Sequence, residues 1–284
     1  MKNIKNVLVA LDLSEIDTKL IEYASFLAEK LSLEKVYFVH NIKKYEISEL
    51  FAEQLKDINL DGLITEEIED KLKNHFSATS ETEILISEDH YTESLINYVA
   101  NKYLIDLLIV GNKDHQTGTG VIPDKLLRLM KCDILAIPKN ASEKLENIWI
   151  GTDFSKESRK SLQLGRFLKD KLQAQLTAAH VFNVPIQFSP YLDKEEMLPK
   201  IEKHTREKFS KFLSKNNEDL METRIIRGRD SSVSTRLLEE SMKNKADLLV
   251  VSDKGGNIFS SLLVGSVTDE LFDSDLPLPL WVCK

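Results

Sequence analysis

The chain has 284 residues, 42% hydrophobic and 30% charged, with a net charge of −8 and a pI near 5.4. A soluble protein of one large or two ordinary domains is expected, and the acidity argues against nonspecific binding to nucleic acid or an anionic membrane. The only cysteines, Cys132 and Cys283, form no CxxC pair; this disfavours a disulfide framework or thiolate metal site and suits a reducing, cytoplasmic setting.

In chain order, Val7 to Leu11 reads as a strand ending at Asp12. It is too short for a secretion signal, and no apolar run approaches the ~20 residues of a membrane span. Ser14 is expected to cap the next helix, with Asp17 three positions on; Ile21, Ala24, Leu27 and Leu31 follow at helical spacing. Strands are expected at Val36–Val39, Ile84–Ile86, Leu107–Val110 and Ile134–Ile137, with helical stretches at 47–75, around Leu95–Ala100 and around Leu126–Leu129. The order restarts at Ile148. A strand ends at Asp153, Ser155 caps a helix carrying Leu162, Leu164 and Leu168, and strands follow at Leu176–Val181 and Thr223–Arg227. Helices are expected at 194–213 and 232–242, then a strand at Leu248–Val251, a helix at Val267–Phe272 and a last strand at Leu280–Val282. Trp149 and Trp281 fall on strands and are expected in the core.

This is an internal repeat of about 141 residues. Asp12 maps to Asp153, Asp89 to Asp230 and Asp106 to Asp247, and Leu107-Leu108-Ile109-Val110 faces Leu248-Leu249-Val250-Val251. Strands alternating with helices predict an α/β fold: two Rossmann-like, doubly wound domains, each with a five-stranded parallel sheet. The short polar link near Asn140–Leu145 divides them into residues 1–140 and 145–284, which are expected to pack about a pseudo-twofold.

In such sheets ligands bind beyond the carboxyl ends of strands, where strand order reverses. Asp153 and the loop after Val251 would meet there. Asp153 can accept hydrogen bonds from ribose hydroxyls or a base amino group; its alternative role is to cap the next helix beside Ser155. Gly255, Gly265 and Ser266 can offer amides and a hydroxyl to phosphate, since a Cβ would hold the anion away. Their alternative is ordinary turn chemistry, and that of Lys254 is a solvated charge. Asp253 is expected to be solvated. In the first repeat Asp114 stands at the place of Gly255, and Asp124 and Lys125 at those of Gly265 and Ser266. Added carboxylates cost on the order of 1–4 kcal/mol each beside a phosphate, so the first repeat is expected to be silent. The six histidines show no ligand spacing with cysteine or with one another.

At these residues the chain resembles the universal stress protein family in its tandem form, an adenine nucleotide alpha hydrolase-like fold, over essentially its whole length. The family's loop runs glycine, two residues, glycine, nine residues, glycine, serine or threonine; here it is Ser252, Gly255, Gly265 and Ser266, with serine for the first glycine. The strand-end aspartate matches Asp153 and the His-Val pair matches His180-Val181, with the valine against adenine. Val267 falls where the family offers a further amide. The resemblance implies ATP or a related adenine nucleotide such as ADP or AMP bound by the second domain, admits magnesium and a homodimer, and points to a stress-response regulator. The first domain keeps Asp12, Gly111 and His40, with Asn41 in the valine's place. Two alternatives stay open: a ligand-free interaction scaffold whose motif is a relic, and a slow ATP hydrolase, although no Walker-type loop, arginine finger or general base is evident.

Overall fold

The computed structural model describes residues 3–43, 58–112, 123–183, 194–218, 221–228, 231–255 and 264–284. Residues 44–57, with the start of the helical stretch expected from 47, lie outside this range, as do Asp114, Asp230 and loop residues 256–263. The chain divides into two compact units, one comprising Met1–Glu143, Asp275–Pro279 and Lys284, the other Lys144–Ser274 and Leu280–Cys283.

The first unit contains β1 (Asn6–Leu11), α1 (Ile16–Leu31), β2 (Lys35–Asn41), α2 (Leu60–His75), β3 (Glu81–Ser87), α3 (Thr92–Lys102), β4 (Leu107–Asn112), α4 (Pro123–Leu129) and β5 (Asp133–Pro138). Its strands are all parallel, in the order β3-β2-β1-β4-β5. The reason lies in the sequence: β1 and β4 are uninterrupted apolar runs, buried on both faces as central strands of parallel sheets must be. Helix α1 buries Leu20, Ile21, Ala24, Leu27 and Leu31 and ends at Ser32 in the left-handed region. The sheet turns back between β1 and β4, which pair directly, so a crevice opens at their carboxyl ends.

The second unit repeats the plan with β6 (Asn147–Gly151), α5 (Ser158–Leu172), β7 (Gln175–Phe182), α6 (Lys194–Lys215), β8 (Glu222–Arg227), α7 (Val233–Lys243), β9 (Leu248–Ser252), α8 (Ser266–Phe272) and β10 (Leu280–Cys283). Here β6 lies between β7 and β9, with β8 and β10 outside them. Trp149 and Trp281 are 2% and 0% exposed, as expected of core residues.

The repeat extends to details of hydrogen bonding. Asp106 Oδ2 accepts the amides of Lys5 and Asn6 at 2.8 and 3.0 Å, and Asp247 Oδ2 those of Glu146 and Asn147 at 3.0 and 2.9 Å. Left-handed residues recur in pairs: Leu13 with Phe154, Ser32 with Gln173, and Leu104 with Lys245. The expected cap at Ser14 is not formed. Helix α1 starts at Ile16 without a side-chain cap, and Ser14 Oγ is buried without a partner. Asp17, the expected capping-box partner, instead accepts the amides of Asp12 and Leu13. Ser155 makes the expected capping bond, its Oγ accepting the amide of Ser158 three residues on at 3.1 Å, at the start of α5.

Candidate functional site

The end of β6, the turn into α5, the end of β7 and the loop from β9 to α8 enclose a cavity of about 460 Å³, within the range of small-ligand sites. Asp153 lies just beyond β6, Val181 on β7 and Ser252 at the last position of β9, and all three line the cavity. Lys254 and Gly255 after β9, Gly265 before α8, and Ser266 and Val267 at its start complete the set of sequence-predicted residues, all lining the same cavity.

The loop is anchored at both ends. Gly265 N–H donates to Asp253 O at 2.7 Å, and Thr268 Oγ1 to Ser252 O at 2.8 Å. Ser252, standing for the family's first glycine, directs its hydroxyl to Lys254 O at 2.9 Å and closes the turn locally. Asp253 is 8% exposed, not solvated as expected: its amide donates to Cys283 O and its carbonyl accepts Gly265 N–H, which draws it inward. A Cβ on Gly255 would stand 3.0 Å from Asp153 Oδ2, so glycine lets this wall approach the carboxylate.

Asp153 Oδ1 accepts Ser155 N–H at 3.0 Å and Ser158 Oγ–H at 2.5 Å. The helix-capping alternative is therefore partly realised, and the same bonds fix the carboxylate's direction. Next to it Phe154 takes φ 64°, a conformation bulky residues rarely adopt. It is held by aromatic contacts to His180 at 4.2 Å, Phe209 at 5.1 Å and Phe212 at 5.7 Å between ring centroids. Burial lowers the pKa of His180 below its ordinary value, and its Nδ1 lies 2.7 Å from Thr152 O. A carbonyl can only accept, so the neutral ring carries its proton on Nδ1. Among the described lining residues, Asp153 and Lys254 carry charge. One wall is apolar, with Val181, Val233 and Leu237; the other carries the small residues and helix start of the β9–α8 loop. Such a pair of walls suits a ligand with a flat apolar part and an anionic tail.

Sequence reasoning did not identify Thr152, Phe154, Ser158, Val233, Leu237 or Thr268 in this setting. Ser158 and Phe154 carried a usable signal, their fixed spacing from Asp153, whereas Val233 and Leu237 come into place only through the crossover of α7.

At the corresponding crevice of the first unit the chemistry differs. Asp17 stands where Ser158 does, 0% exposed, and burial pushes its carboxyl up to about 6. Glu93 stands where Ser234 does and pairs with Lys125, the counterpart of Ser266, at 2.7 Å; that bond holds the Glu93 carboxyl below its usual range. A Cβ on Gly111 would meet the Ile16 side chain at 2.9 Å, so Ile16 covers the glycine that matches Ser252. Asn41, in the place of Val181, spans Asp89 O and Thr92 Oγ1 at 3.0 and 2.8 Å. Among the described residues no group of three or more His, Cys, Asp or Glu side chains could hold a metal ion, and no helix is long and apolar enough to cross a membrane.

The model of the universal stress protein family matches residues 3–138 and again 144–284. No curated protein matches the chain. Among solved structures, a universal stress protein from Archaeoglobus fulgidus DSM 4304 is 15% identical, with a TM-score of 0.66 over 98% of this chain and 98% of its own. A functionally unknown protein from Pseudomonas aeruginosa PAO1 is 14% identical, with a TM-score of 0.64 over 99% of this chain and 92% of its own. A universal stress protein in complex with cAMP is 20% identical over 49% of this chain and 100% of its own, with a TM-score of 0.37. With the family matched once in each half, and a crevice of the same construction at each repeat, the chain belongs to the universal stress protein family as a tandem two-domain member.

Proposed function

We propose that the second domain, residues 145–284, binds ATP or a related adenine nucleotide, and that the first, residues 1–140, is silent toward it. The observation that carries this reading is the convergence of Asp153, Val181, the 252–255 turn and the start of α8 on one cavity. Val181 and the neighbouring aliphatic side chains offer a surface to the base, Asp153 Oδ2 an acceptor to ribose hydroxyls, and Gly255, Ser266 and Val267 amides and a hydroxyl to phosphate, while Gly265, its own N–H held by Asp253 O, keeps the loop free of a side chain there. Magnesium would come coordinated by the phosphates. The protein would act in the cytoplasm as a stress-response regulator, with ATP favouring one conformation of the second domain; a homodimer belongs to the same proposal and is read by analytical ultracentrifugation.

Isothermal titration with ATP tests the reading. We expect saturable binding by the full chain, and loss of it in Asp153→Ala. Binding that persists in that variant counts against this site. The scaffold alternative is favoured for the first domain alone, where Ile16, Asp17 and the Glu93–Lys125 pair occupy the corresponding positions. A phosphate-release assay with the same variant as control tests for hydrolysis.

A further inference from the structure

The turn after β6 presents two amides, those of Asp153 and Phe154. Ser158 Oγ accepts the first at 3.3 Å, and Thr152 Oγ1 the second at 3.1 Å. The Ser158 hydroxyl proton is in turn directed to Asp153 Oδ1. After β1 the equivalent amides, of Asp12 and Leu13, both go to the Asp17 carboxylate, at 3.2 and 2.8 Å, and Leu11 replaces Thr152. The backbone is the same in both turns, with φ 63° at Leu13 and 64° at Phe154. Ser158 and Asp17 are equally buried, 1% and 0% exposed. One turn is thus closed in two ways: by two neutral hydroxyls, or by one carboxylate.

We propose that this exchange decides which repeat accepts an anionic ligand, with Ser158 as a positioning residue that aims Asp153 and keeps a second carboxylate out of the cavity floor. The inference rests on the nucleotide reading above. Ser158 and Ser155 hold Asp153 Oδ1, and Oδ2 lies on the side of Gly255. A carboxylate at 158 would have no proton to give Asp153. It would instead sit buried beside a like charge, as Asp17 does beside Asp12, and the repulsion would extend to a bound phosphate. The first unit shows that the turn tolerates the acid, since Asp17 satisfies the same two amides there.

The experiment is isothermal titration of the full chain with ATP and with ADP at pH 8 and pH 5.5. It compares wild type, Ser158→Asp, Ser158→Ala and the double variant Thr152→Leu/Ser158→Asp, which restores the whole first-unit turn and guards against a folding defect. Each affinity is taken as a ratio to wild type at the same pH. His180 on β7, Lys208 on α6 and Lys254 are common to all the proteins and cancel to first order, whereas Asp153, in direct contact with residue 158, contributes to the difference that the ratio reads. Ser158→Asp and the double variant should weaken binding at least tenfold at pH 8. The deficit should narrow to under threefold at pH 5.5, because a carboxyl buried at this position titrates near the value of about 6 that burial gives Asp17. Ser158→Ala should weaken binding by a pH-independent factor. Folded acid variants that bind within threefold of wild type at pH 8, or lose affinity equally at both pH values, overturn the inference alone. A wild-type chain that binds neither nucleotide overturns it together with the reading it rests on.

Discussion

Asp17 closes the turn after β1 with a buried carboxylate. Its carboxyl is raised to about 6 by burial, against the amides of Asp12 and Leu13, which favour the charged form. A carboxyl raised on folding binds more protons in the native state than in the unfolded state between its ordinary value and about 6. Stability from this group is therefore full below pH ~4 and is lost as pH rises through 6, by at most about 3 kcal/mol. Asp17→Asn should flatten that part of the profile; thermal melts between pH 4 and 7 with an unchanged slope would show that Asp17 does not set it. On the opposite repeat, Gly255 has little room for change at the cavity wall, since a Cβ there would crowd Asp153 Oδ2 at 3.0 Å. Gly255→Ala should lower ATP affinity roughly tenfold, about 1.4 kcal/mol, with little change in melting temperature, as titration and calorimetry on one preparation would reveal.

At the scale of elements, apolar runs announced the strands well. Leu107–Val110 and Leu248–Val251 are buried throughout, and the sequence has no other use for four consecutive aliphatic residues. The edge strand β3 was legible only at Ile84–Ile86, although it spans Glu81–Ser87, because a partly exposed strand carries polar residues that dilute the pattern. Caps were less legible. Ser155 makes its expected bond to the Ser158 amide, but Ser14 does not cap, since the amide of Asp17 goes to the Ser14 carbonyl at 3.1 Å and not to its hydroxyl. The glycine loop and Asp153 were visible as motif; the exchange of Ser158 for Asp17 and of Ser234 for Glu93 was not, since its meaning depends on which side chains the turn and α7 bring to the crevice. The amide clasps at Asp106 and Asp247 tie β1 and β6 to the starts of β4 and β9. Asp247→Ala leaves two amides to find other acceptors and should cost about 1–3 kcal/mol. Asp106→Ala should cost a similar amount, and urea denaturation of the two variants side by side compares them.

For the whole molecule, the asymmetry of the repeats predicts one nucleotide per chain. Titration of Asp12→Ala should give the wild-type stoichiometry, and a drop in stoichiometry would place a second ligand in the first domain. The two units also share the last stretch of chain unevenly. Residues 275–279 and 284 belong to the first unit, where Leu276 N–H donates to Asn112 Oδ1 at 2.9 Å and Lys284 N–H to Asp133 Oδ1 at 3.1 Å. Leu276 and Leu278 are buried, each contributing about 1.5–3 kcal/mol. A fragment of residues 1–143 should therefore unfold at lower denaturant than the full chain. A ribosome delivers residues 275–284 last, so the N-terminal repeat, although made first, gains these contacts only once the C-terminal end of the chain has emerged.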